Sequence, residues 1–483
     1  MVSSDQAVVD PIVTGVDVKG QTKPSVARVP RTVKIAYGMA EASSSVAFTA
    51  FAVFYLIFLT DVAGIDPGTA SLVLALAVVW DAFSDPLMGV ISDHTKSRFG
   101  RRRPYLLGVA VPFGITFWLS FSVPSLEGPM LVAYFVLVSL AMHTAITVFA
   151  VPYTALLPEM TGDYDERSSI VSYRVLWAQL GALMGASLPI LIASYFSDPV
   201  NGWSAAGAIL GFFCIFPILI TWRATRGRES GRKVESPLGV GEVYTTITRN
   251  RTFRFLIVTF LFAITATTAT GAVSVYFLRY CLEFTESQVS IYFVVFFASS
   301  LLWVPVVEFF SVRIGKPLTF AIFVGVGGLF IAITTLLIAP GQFELSLIIG
   351  SISSVVQVTV YQMIWSMVPD VVEVEEFNTG KRNEGLYFGV TMFINKLGSA
   401  TAVFMVGQYL SWVGYQPNGA QTPEVLMGLR VLMGPIAASL LGVAVLTALF
   451  IPMTRQRHRA LVKAIKAKQK GENWDDREFK ALL

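Results

Sequence analysis

The sequence predicts an all-α membrane protein with about twelve transmembrane helices arranged as two six-helix bundles. Of its 483 residues, 54% are hydrophobic and only 14% are charged, which is more apolar side chain than the core of a water-soluble protein of this length requires. Apolar runs of roughly 20 residues recur along the chain, and each can cross about 30 Å of hydrocarbon as a helix. These runs lack the alternation of a membrane β-strand. The excess apolar surface is therefore expected to face lipid.

The predicted spans lie between charged or Pro/Gly-rich breaks. In chain order, the first six are near 33–60, 69–92, 105–123, 130–157, 169–196 and 204–223. The second six are near 254–280, 287–312, 318–338, 344–369, 385–411 and 428–452. We therefore assign 33–223 and 254–452 to the two bundles. The polar stretch 224–253, the longest between spans, is interpreted as a cytoplasmic linker that joins them.

The distribution of positive charge predicts the orientation of the chain. All but four of the 36 lysine and arginine residues fall on one side of a twelve-span arrangement. Because positively charged loops tend to stay in the cytoplasm, both termini are expected there, in a multi-pass protein of the cell (inner) membrane. The segment 1–32 lacks the apolar core of a cleavable signal and is interpreted as a disordered cytoplasmic tail. The segment 453–483 is interpreted as a basic cytoplasmic tail.

The two halves of the sequence resemble each other. The basic loop Arg98–Pro104 after the second span has a counterpart in Arg313–Pro317 after the eighth. Likewise, Leu157-Pro158-Glu159 ends the fourth span and Val368-Pro369-Asp370 ends the tenth. A parallel duplication of this kind places one binding site at mid-membrane, between two bundles that rock against each other.

Two carboxylates in the second span give the clearest sign of a functional site. Asp81 and Asp85 are four residues apart and share one face of the helix. A carboxylate near a helix centre costs about 2.5–3.5 kcal/mol on membrane-insertion scales, and two like charges at this spacing repel each other. A cation between them, either Na⁺ or a shared proton, reduces both costs. Ion pairing with loop arginines is the structural alternative.

Three further charged residues inside predicted spans are candidates for the functional site. Lys396 is in the eleventh span, Arg174 in the fifth and Glu41 in the first. Both cations are costly in lipid unless they are paired. Because Lys396 belongs to the second bundle and the two aspartates to the first, we expect a charge interaction that couples the bundles. The polar residues Tyr361 and Asn395 are predicted to line a cavity, and Glu41 alternatively serves helix packing or snorkels.

Several motifs together resemble a known group of proteins. They are WDAFSDPLMG (80–89), RFGRRRP (98–104), Val151-Pro152-Tyr153, Tyr173-Arg174 and Lys396-Leu397-Gly398. Over nearly the whole membrane domain the chain is similar to the glycoside-pentoside-hexuronide:cation symporters, the melibiose permease-like family of the major facilitator superfamily. The resemblance implies the major facilitator fold and cation-coupled symport by alternating access. That family is related to sodium-dependent lysophospholipid symporters.

The resemblance also implies a cation site and a solute site. The cation site would be formed by Asp81, Ser84 and Asp85 with Thr147, with Lys396 nearby and Na⁺ or H⁺ as the coupling ion.

The implied solute site departs from the pattern of the family. Ser45 and Ala150 stand where acidic residues are expected, Thr154 stands where a tryptophan is expected, and Arg174 is retained. Without the two acids a galactoside is not expected. The cavity is instead expected to be more positive and to suit an acidic solute such as a uronide.

A cytoplasmic gate is predicted where acidic residues of the second half meet the basic loops. The expected basic members are Arg98, Arg101, Arg102, Arg103 and Arg313. The expected acidic members are Asp370, Glu373 and Glu384. Pairing between these groups would hold an outward-open state, and the alternative is a merely solvated acidic loop.

A secondary symporter accounts best for the duplicated halves and the intramembrane charges. The expected solute is a sugar, a glycoside or an acidic sugar derivative; a lysophospholipid or another amphiphile is the alternative, and a cation-independent uniporter is a more remote one. A channel would show pore-lining rings from an oligomer. An enzyme is not expected, because no metal cluster or nucleophile motif is evident around the three histidines. We expect no cofactor, no nucleic-acid partner and a monomeric protein in the lipid bilayer.

Overall fold

The computed structural model describes residues 29–161, 164–228, 250–380, 384–470, 473–474 and 477–482, and the helices in these ranges follow one another through short loops. The first half contains α1 (Arg31–Ala50, extended by the π-helical segments Phe51–Tyr55 and Phe58–Val62), α2 (Pro67–His94), α3 (Arg103–Ser120), α4 (Gly128–Met160), α5 (Tyr164–Ala193) and α6 (Pro199–Ala224).

The second half repeats this arrangement. It contains α7 (Arg251–Tyr276, extended by π-helical Phe277–Cys281), α8 (Glu286–Ile314), α9 (Lys316–Leu337), α10 (Phe343–Thr379), α11 (Glu384–Trp412) and α12 (Pro423–Val431, then π-helical Leu432–Ile436 and Ala437–Leu449). A shorter helix, α13 (Arg455–Lys470), follows. Ten of the described helices are long and apolar enough to span a bilayer. The other two long helices are α1, which breaks into π-helical turns, and α3, which has only 18 residues and begins at Arg103.

The helix boundaries follow local sequence signals. Asp66 caps α2 by accepting a hydrogen bond from the Thr69 amide, and Pro67 occupies the first turn, where no amide donor is needed. At α8, Thr285 and Gln288 form a reciprocal capping box. Gly380, with φ of 71°, ends α10 in the left-handed region that glycine adopts without strain.

The tenth predicted span was ten residues too short. Sequence reasoning ended it at Pro369, but α10 continues to Thr379. A membrane helix accommodates an internal proline when neighbouring groups satisfy the freed backbone, and the turns beyond Pro369 bury apolar residues including Val371 and Phe377. Asp370 and Glu373 therefore lie on a helix rather than in a loop. The predicted linker and N-terminal tail fall largely outside the described residues, which omit 229–249 and 1–28.

Close helix packing is made possible by small residues. A Cβ atom on Gly181 of α5 would lie 2.4 Å from the Ala42 carbonyl oxygen of α1, so only glycine permits this approach. Between the halves, α2 packs against α11 and α5 packs against α8. At the α2–α11 contact, a Cβ on Gly407 would lie 2.2 Å from the Ser71 Cβ. The two halves are thus in direct helix-to-helix contact.

Because successive long helices run in alternating directions, the start of α1 and the end of α12 lie at the same end of the protein. The arginine-rich loop between α2 and α3 also lies at that end, which we call the basic end. The other is called the opposite end.

Candidate functional site

Two carboxylates meet a hydroxyl between α2 and α4. The Thr147 hydroxyl oxygen lies 2.6 Å from a carboxylate oxygen of Asp81 and 2.8 Å from one of Asp85. Ser84 contributes a second hydroxyl, 3.0 Å from that of Thr147. Because Thr147 has one proton, it can donate to only one carboxylate at a time. This cluster of hard oxygen atoms fits the ligand preference of Na⁺ or a shared proton.

The ammonium group of Lys396 completes this cluster from the other half of the protein. Its Nζ atom lies 2.8 Å from a carboxylate oxygen of Asp81 and 3.3 Å from the Asp81 carbonyl oxygen, and it also contacts the Asp85 carboxylate. Asp81 is buried, whereas the Asp85 side chain is 35% exposed. The two aspartates and Lys396 carry a net charge of about −1, so one further monovalent cation would neutralise them.

A second charge pair joins α1 to α5. The Arg174 guanidinium donates to one carboxylate oxygen of Glu41 through two nitrogens, at 2.6 and 2.8 Å. It also lies over the Tyr153 ring, 4.8 Å from the centroid. Tyr153 in turn stacks on Tyr37 at 4.7 Å, and each tyrosine hydroxyl donates to the other residue's carbonyl oxygen. The ion pair is thereby fixed on a rigid aromatic support.

This pairing corrects the expected charge of the solute site. Sequence reasoning counted Arg174 and Lys396 as excess positive charge and gave Glu41 a weaker role. In the structure Glu41 neutralises Arg174, and Lys396 is held by two carboxylates. Among the described residues, both of these cations are therefore paired with carboxylates in this conformation.

The remaining solute candidates have different surroundings. Ser45 is half-buried in α1, near Gly181 of α5. Ala150 lies in α4, and the Thr154 hydroxyl donates to its carbonyl oxygen at 2.5 Å. Tyr361 is 41% exposed. The side-chain oxygen of Asn395 is buried and has no hydrogen-bond partner among the described residues, so it has unused capacity to bind a ligand.

Asp61 ties the two halves together at the opposite end. It lies in the last π-helical segment of α1 and is almost fully buried. The hydroxyls of Tyr415 and Tyr280, both from the second half, donate to its carboxylate at 2.7 and 2.5 Å. Asn418 donates to its carbonyl oxygen at 2.5 Å. We call Asp61, Tyr280, Tyr415 and Asn418 the tyrosine clamp. The sequence signal for Asp61 was an acidic residue next to an apolar span. Residue spacing alone could not show which residues it contacts.

The predicted gate residues of the first half form contacts within that half. Arg101 and Arg102 both pair with Glu159, at 2.5 and 2.7 Å, and Arg102 also pairs with Asp93. Arg103 donates to the carbonyl oxygens of Trp222 and Phe99. Arg98 lies over the Phe99 ring.

Asp370, Glu373 and Arg313 of the second half likewise have contacts within that half. Asp370 pairs with Lys316 at 2.7 Å, and Glu373 pairs with His458 of α13 at 2.7 Å. Arg313 lies over the Phe309 ring, and Glu384 is exposed at the start of α11. Pairing of these acids with the arginines of the first half stays a prediction for another conformation.

Sequence analysis did not single out Glu308, an exposed carboxylate in α8. Glu308 accepts a hydrogen bond from the Gln362 amide at 3.1 Å. It lies eighteen residues after Ser290, which is five helical turns, so both occupy one face of α8. Ser290 donates to the Ser187 carbonyl oxygen of α5, whereas Glu308 is exposed. The face of α8 that meets α5 near the opposite end is therefore uncovered toward the basic end.

Two helical halves, clamped at one end and joined at mid-depth by an intramembrane charge cluster, define the class of secondary transporters with the major facilitator fold. Residues 36–455 match the family described as MFS/sugar transport protein, and the chain belongs to this family. The family and superfamily inferred from the motifs are thereby confirmed, and so is the all-α, multi-pass membrane architecture.

Curated relatives extend over most of the chain. The uncharacterized symporter YnaJ of Bacillus subtilis is 29% identical, with 92% of this chain and 97% of that protein covered. The glucuronide carrier protein homolog of Escherichia coli is 27% identical, with 91% and 96% covered. The sodium-dependent lysophosphatidylcholine symporter 1 of Gallus gallus is 24% identical, with 89% and 88% covered.

Solved structures share the fold at low sequence identity. The nucleoside transporter NupG has a TM-score of 0.64 at 13% identity, with 88% of this chain and 100% of that chain covered. A bacterial homologue of the human drug peptide transporters PepT1 and PepT2 has a TM-score of 0.63 at 13% identity, with 87% and 98% covered. These similarities establish the arrangement of the helices.

Proposed function

We propose that this protein is a cation-coupled symporter of a sugar, a glycoside or an acidic sugar derivative, and that Asp81, Ser84, Asp85 and Thr147 bind the coupling Na⁺ or H⁺. The observation that carries the proposal is the position of Lys396, whose ammonium lies against both aspartates from the opposite half of the protein. Relatives named as a glucuronide carrier homolog and as a glycoside/cation symporter of Escherichia coli support the solute class.

Coupling follows from competition for the two carboxylates. Without a coupling ion, Lys396 is their counter-ion and bridges α2 to α11. A bound Na⁺ or proton supplies positive charge to the same oxygens, which weakens the hold on Lys396 because less negative charge remains for it. The contact between the halves at mid-depth thus depends on the ion. The solute then binds beside this contact, so that a change in the position of Lys396 directly alters the surroundings of the solute.

Access to the site alternates between the two ends. The tyrosine clamp closes the opposite end, and the exposed position of Glu308 supports an opening at the basic end. We infer from the positive charge there that the basic end is cytoplasmic, with both termini inside the cell (inner) membrane. The described conformation is then inward-open. Pairing of the predicted gate arginines with Asp370, Glu373 and Glu384 would close the cytoplasmic side in the outward-open state.

A second candidate solute is a lysophospholipid. Similarity to the lysophosphatidylcholine symporter of Gallus gallus favours it over other amphiphiles. A lysophospholipid would need a lateral apolar opening between the bundles, whereas a sugar needs a polar pocket with aromatic walls.

Uptake into proteoliposomes tests the proposal. Labelled glycosides, uronides and lysophosphatidylcholine are offered with and without an imposed Na⁺ or H⁺ gradient, to the native protein and to Asp85→Asn. We expect a gradient to drive accumulation of a glycoside or uronide, and Asp85→Asn to abolish this dependence. Asp66→Asn is the matched control, because it makes the same change at the N-cap of the same helix and retains a capping side chain. Accumulation that ignores both the gradient and Asp85 would overturn the proposal in favour of a uniporter.

A further inference from the structure

The charge pair of Glu41 and Arg174 lies at the same depth as the cation site. With a rise of 1.5 Å per residue, Glu41, Arg174, Asp85 and Lys396 all lie about 14–18 Å along their helices from the basic end. The side chains of Arg174 and Glu41 are 18% and 23% exposed. Charged groups that remain exposed at this depth face the space between the bundles rather than lipid, because exposure to hydrocarbon is too costly.

Among the described residues around this space, the positive charges of Arg174 and Lys396 are balanced by carboxylates. The Glu41–Arg174 pair is neutral, and Lys396 with its two aspartates becomes neutral when one coupling cation binds. His143 lies 3.9 Å from Asp81 and adds charge only when it is protonated. Glu308, nearer the basic end, adds a negative charge between that end and the site. A solute with a carboxylate would therefore enter a site whose cations are already paired.

An acidic solute could bind Arg174 either beside Glu41, through the remaining guanidinium donors, or in place of Glu41. Beside Glu41 the two carboxylates would repel each other, and in its place the solute would leave the Glu41 carboxylate without its counter-ion. A hydroxyl-bearing solute avoids this cost. Its hydroxyls can donate to the Glu41 carboxylate and accept from the remaining guanidinium donors while the ion pair stays intact.

We infer that Glu41 is a specificity-determining residue, which neutralises Arg174 and thereby selects a solute without net charge. This inference rests on the proposed function and narrows its solute class from sugars and acidic sugar derivatives to uncharged glycosides. Glu41 sets the charge that the site accepts, while Arg174 and the tyrosine pair beneath it set where the solute lies.

Matched pairs of solutes test the inference. The methyl glycosides of glucose and galactose are compared with the corresponding methyl uronides, which differ in one carboxylate, as competitors of uptake and as ligands that raise the unfolding temperature in lipid nanodiscs. In the native protein the uncharged member is expected to act at a concentration at least about tenfold lower. In Glu41→Gln, which frees Arg174 without changing side-chain shape, this ratio is expected to fall by about tenfold or to reverse.

Two variants separate charge from structural damage. Glu41→Asp retains the negative charge and is expected to retain the preference for the uncharged member. Glu344→Gln makes the same chemical change on an exposed residue in the first turn of α10, at the opposite end of the protein. It is expected to leave the ratio unchanged. If Glu41→Gln does not fold, the ratio in the native protein and in Glu41→Asp still decides the matter.

The possible results distinguish this inference from the proposed function. A native preference for the uronides, with cation dependence intact, overturns the role of Glu41 and leaves the symporter proposal standing. An unchanged ratio in folded Glu41→Gln overturns it as well. Gradient-driven uptake of zwitterionic lysophosphatidylcholine in place of any sugar supports selection for zero net charge but overturns the sugar as solute. Failure of every solute, with no dependence on a cation, overturns both.

Discussion

Thr147 has a single hydroxyl proton and two carboxylate neighbours, within 2.6 and 2.8 Å. One proton cannot serve both carboxylates. A bound cation removes the need for a second donor, because the Thr147 oxygen can ligate the ion while the carboxylates provide the charge. The hydroxyl is therefore expected to matter more for the ion than for the fold.

Replacement of Thr147 by valine tests this role. Thr147→Val retains the branched shape and removes only the hydroxyl, and interactions of this type with charged groups are worth about 1.5–3 kcal/mol. We expect the half-saturating concentration of the coupling ion for uptake to rise about tenfold to a hundredfold. Thr144→Val is the control, since Thr144 lies one turn earlier on α4 and accepts from the Trp80 indole at 2.9 Å. Equal ion dependence in both variants would exclude Thr147 as a ligand.

For individual charged side chains, the sequence predicted some contacts and not others. The spacing of Asp81 and Asp85 was enough to place both carboxylates on one face, because helical periodicity is local. The proximity of Lys396, more than 300 residues later, was a hypothesis that rested on the cost of an isolated membrane charge. The Glu41–Arg174 pair was missed, because nothing in either residue's neighbourhood specifies which pairs of helices touch.

Among the helices, α13 shows how a polar segment can become part of the fold. Sequence reasoning interpreted 453–483 as a basic cytoplasmic tail, helix-like from Arg455 to Lys470 and lying along the membrane surface. In the structure Leu461 and Ala464 are buried in the second half, and Lys468 donates to the Phe377 carbonyl oxygen at 2.8 Å. The unexpected length of α10 provides the surface for this docking. An acidic end of α10 and a basic α13 thus stabilise each other.

The docking of α13 is expected to depend on pH through His458. A hydrogen bond to Glu373 raises the pKa of His458 above its ordinary value of about 6.5, with Asp370 adding to the effect, while burial and Lys316 act against it. A raised pKa in the docked state means that this stabilisation is fully present below about pH 6.5 and is lost as the pH rises through the raised pKa.

Hydrogen exchange of 455–470 measures this effect. We expect exchange to accelerate in the native protein between pH 6 and pH 9 beyond the intrinsic chemical increase, and His458→Gln to show no such excess. His94→Gln, at the exposed end of α2, is the control and should behave as the native protein does. A native protein without excess exchange would show that His458 does not stabilise the docked helix.

For the whole molecule, composition was sufficient to predict a helical membrane protein, because the bilayer imposes a minimum length on every apolar span, and the repeated motifs were sufficient to predict two similar halves. They were not sufficient to predict its conformation. The two states of an alternating-access protein share one sequence, so the choice between the tyrosine clamp and the predicted arginine gate depends on small free-energy differences between long-range contacts.

Weakening the tyrosine clamp is expected to shift the whole molecule toward the state that is open at the opposite end. Tyr415→Phe removes the donor that lies 2.7 Å from the Asp61 carboxylate. A hydrogen bond to a charged group contributes about 1.5–3 kcal/mol, and 1.4 kcal/mol changes a population tenfold. The reporter is Ser71→Cys, because Ser71 is fully buried at the α2–α11 contact and both native cysteines are buried. A membrane-impermeant maleimide added from the side of the opposite end is expected to label this cysteine about tenfold faster in Tyr415→Phe, but not in the control Tyr409→Phe. An unchanged labelling rate in a variant that still responds to the coupling ion would mean that other contacts between α2 and α11 hold this end closed.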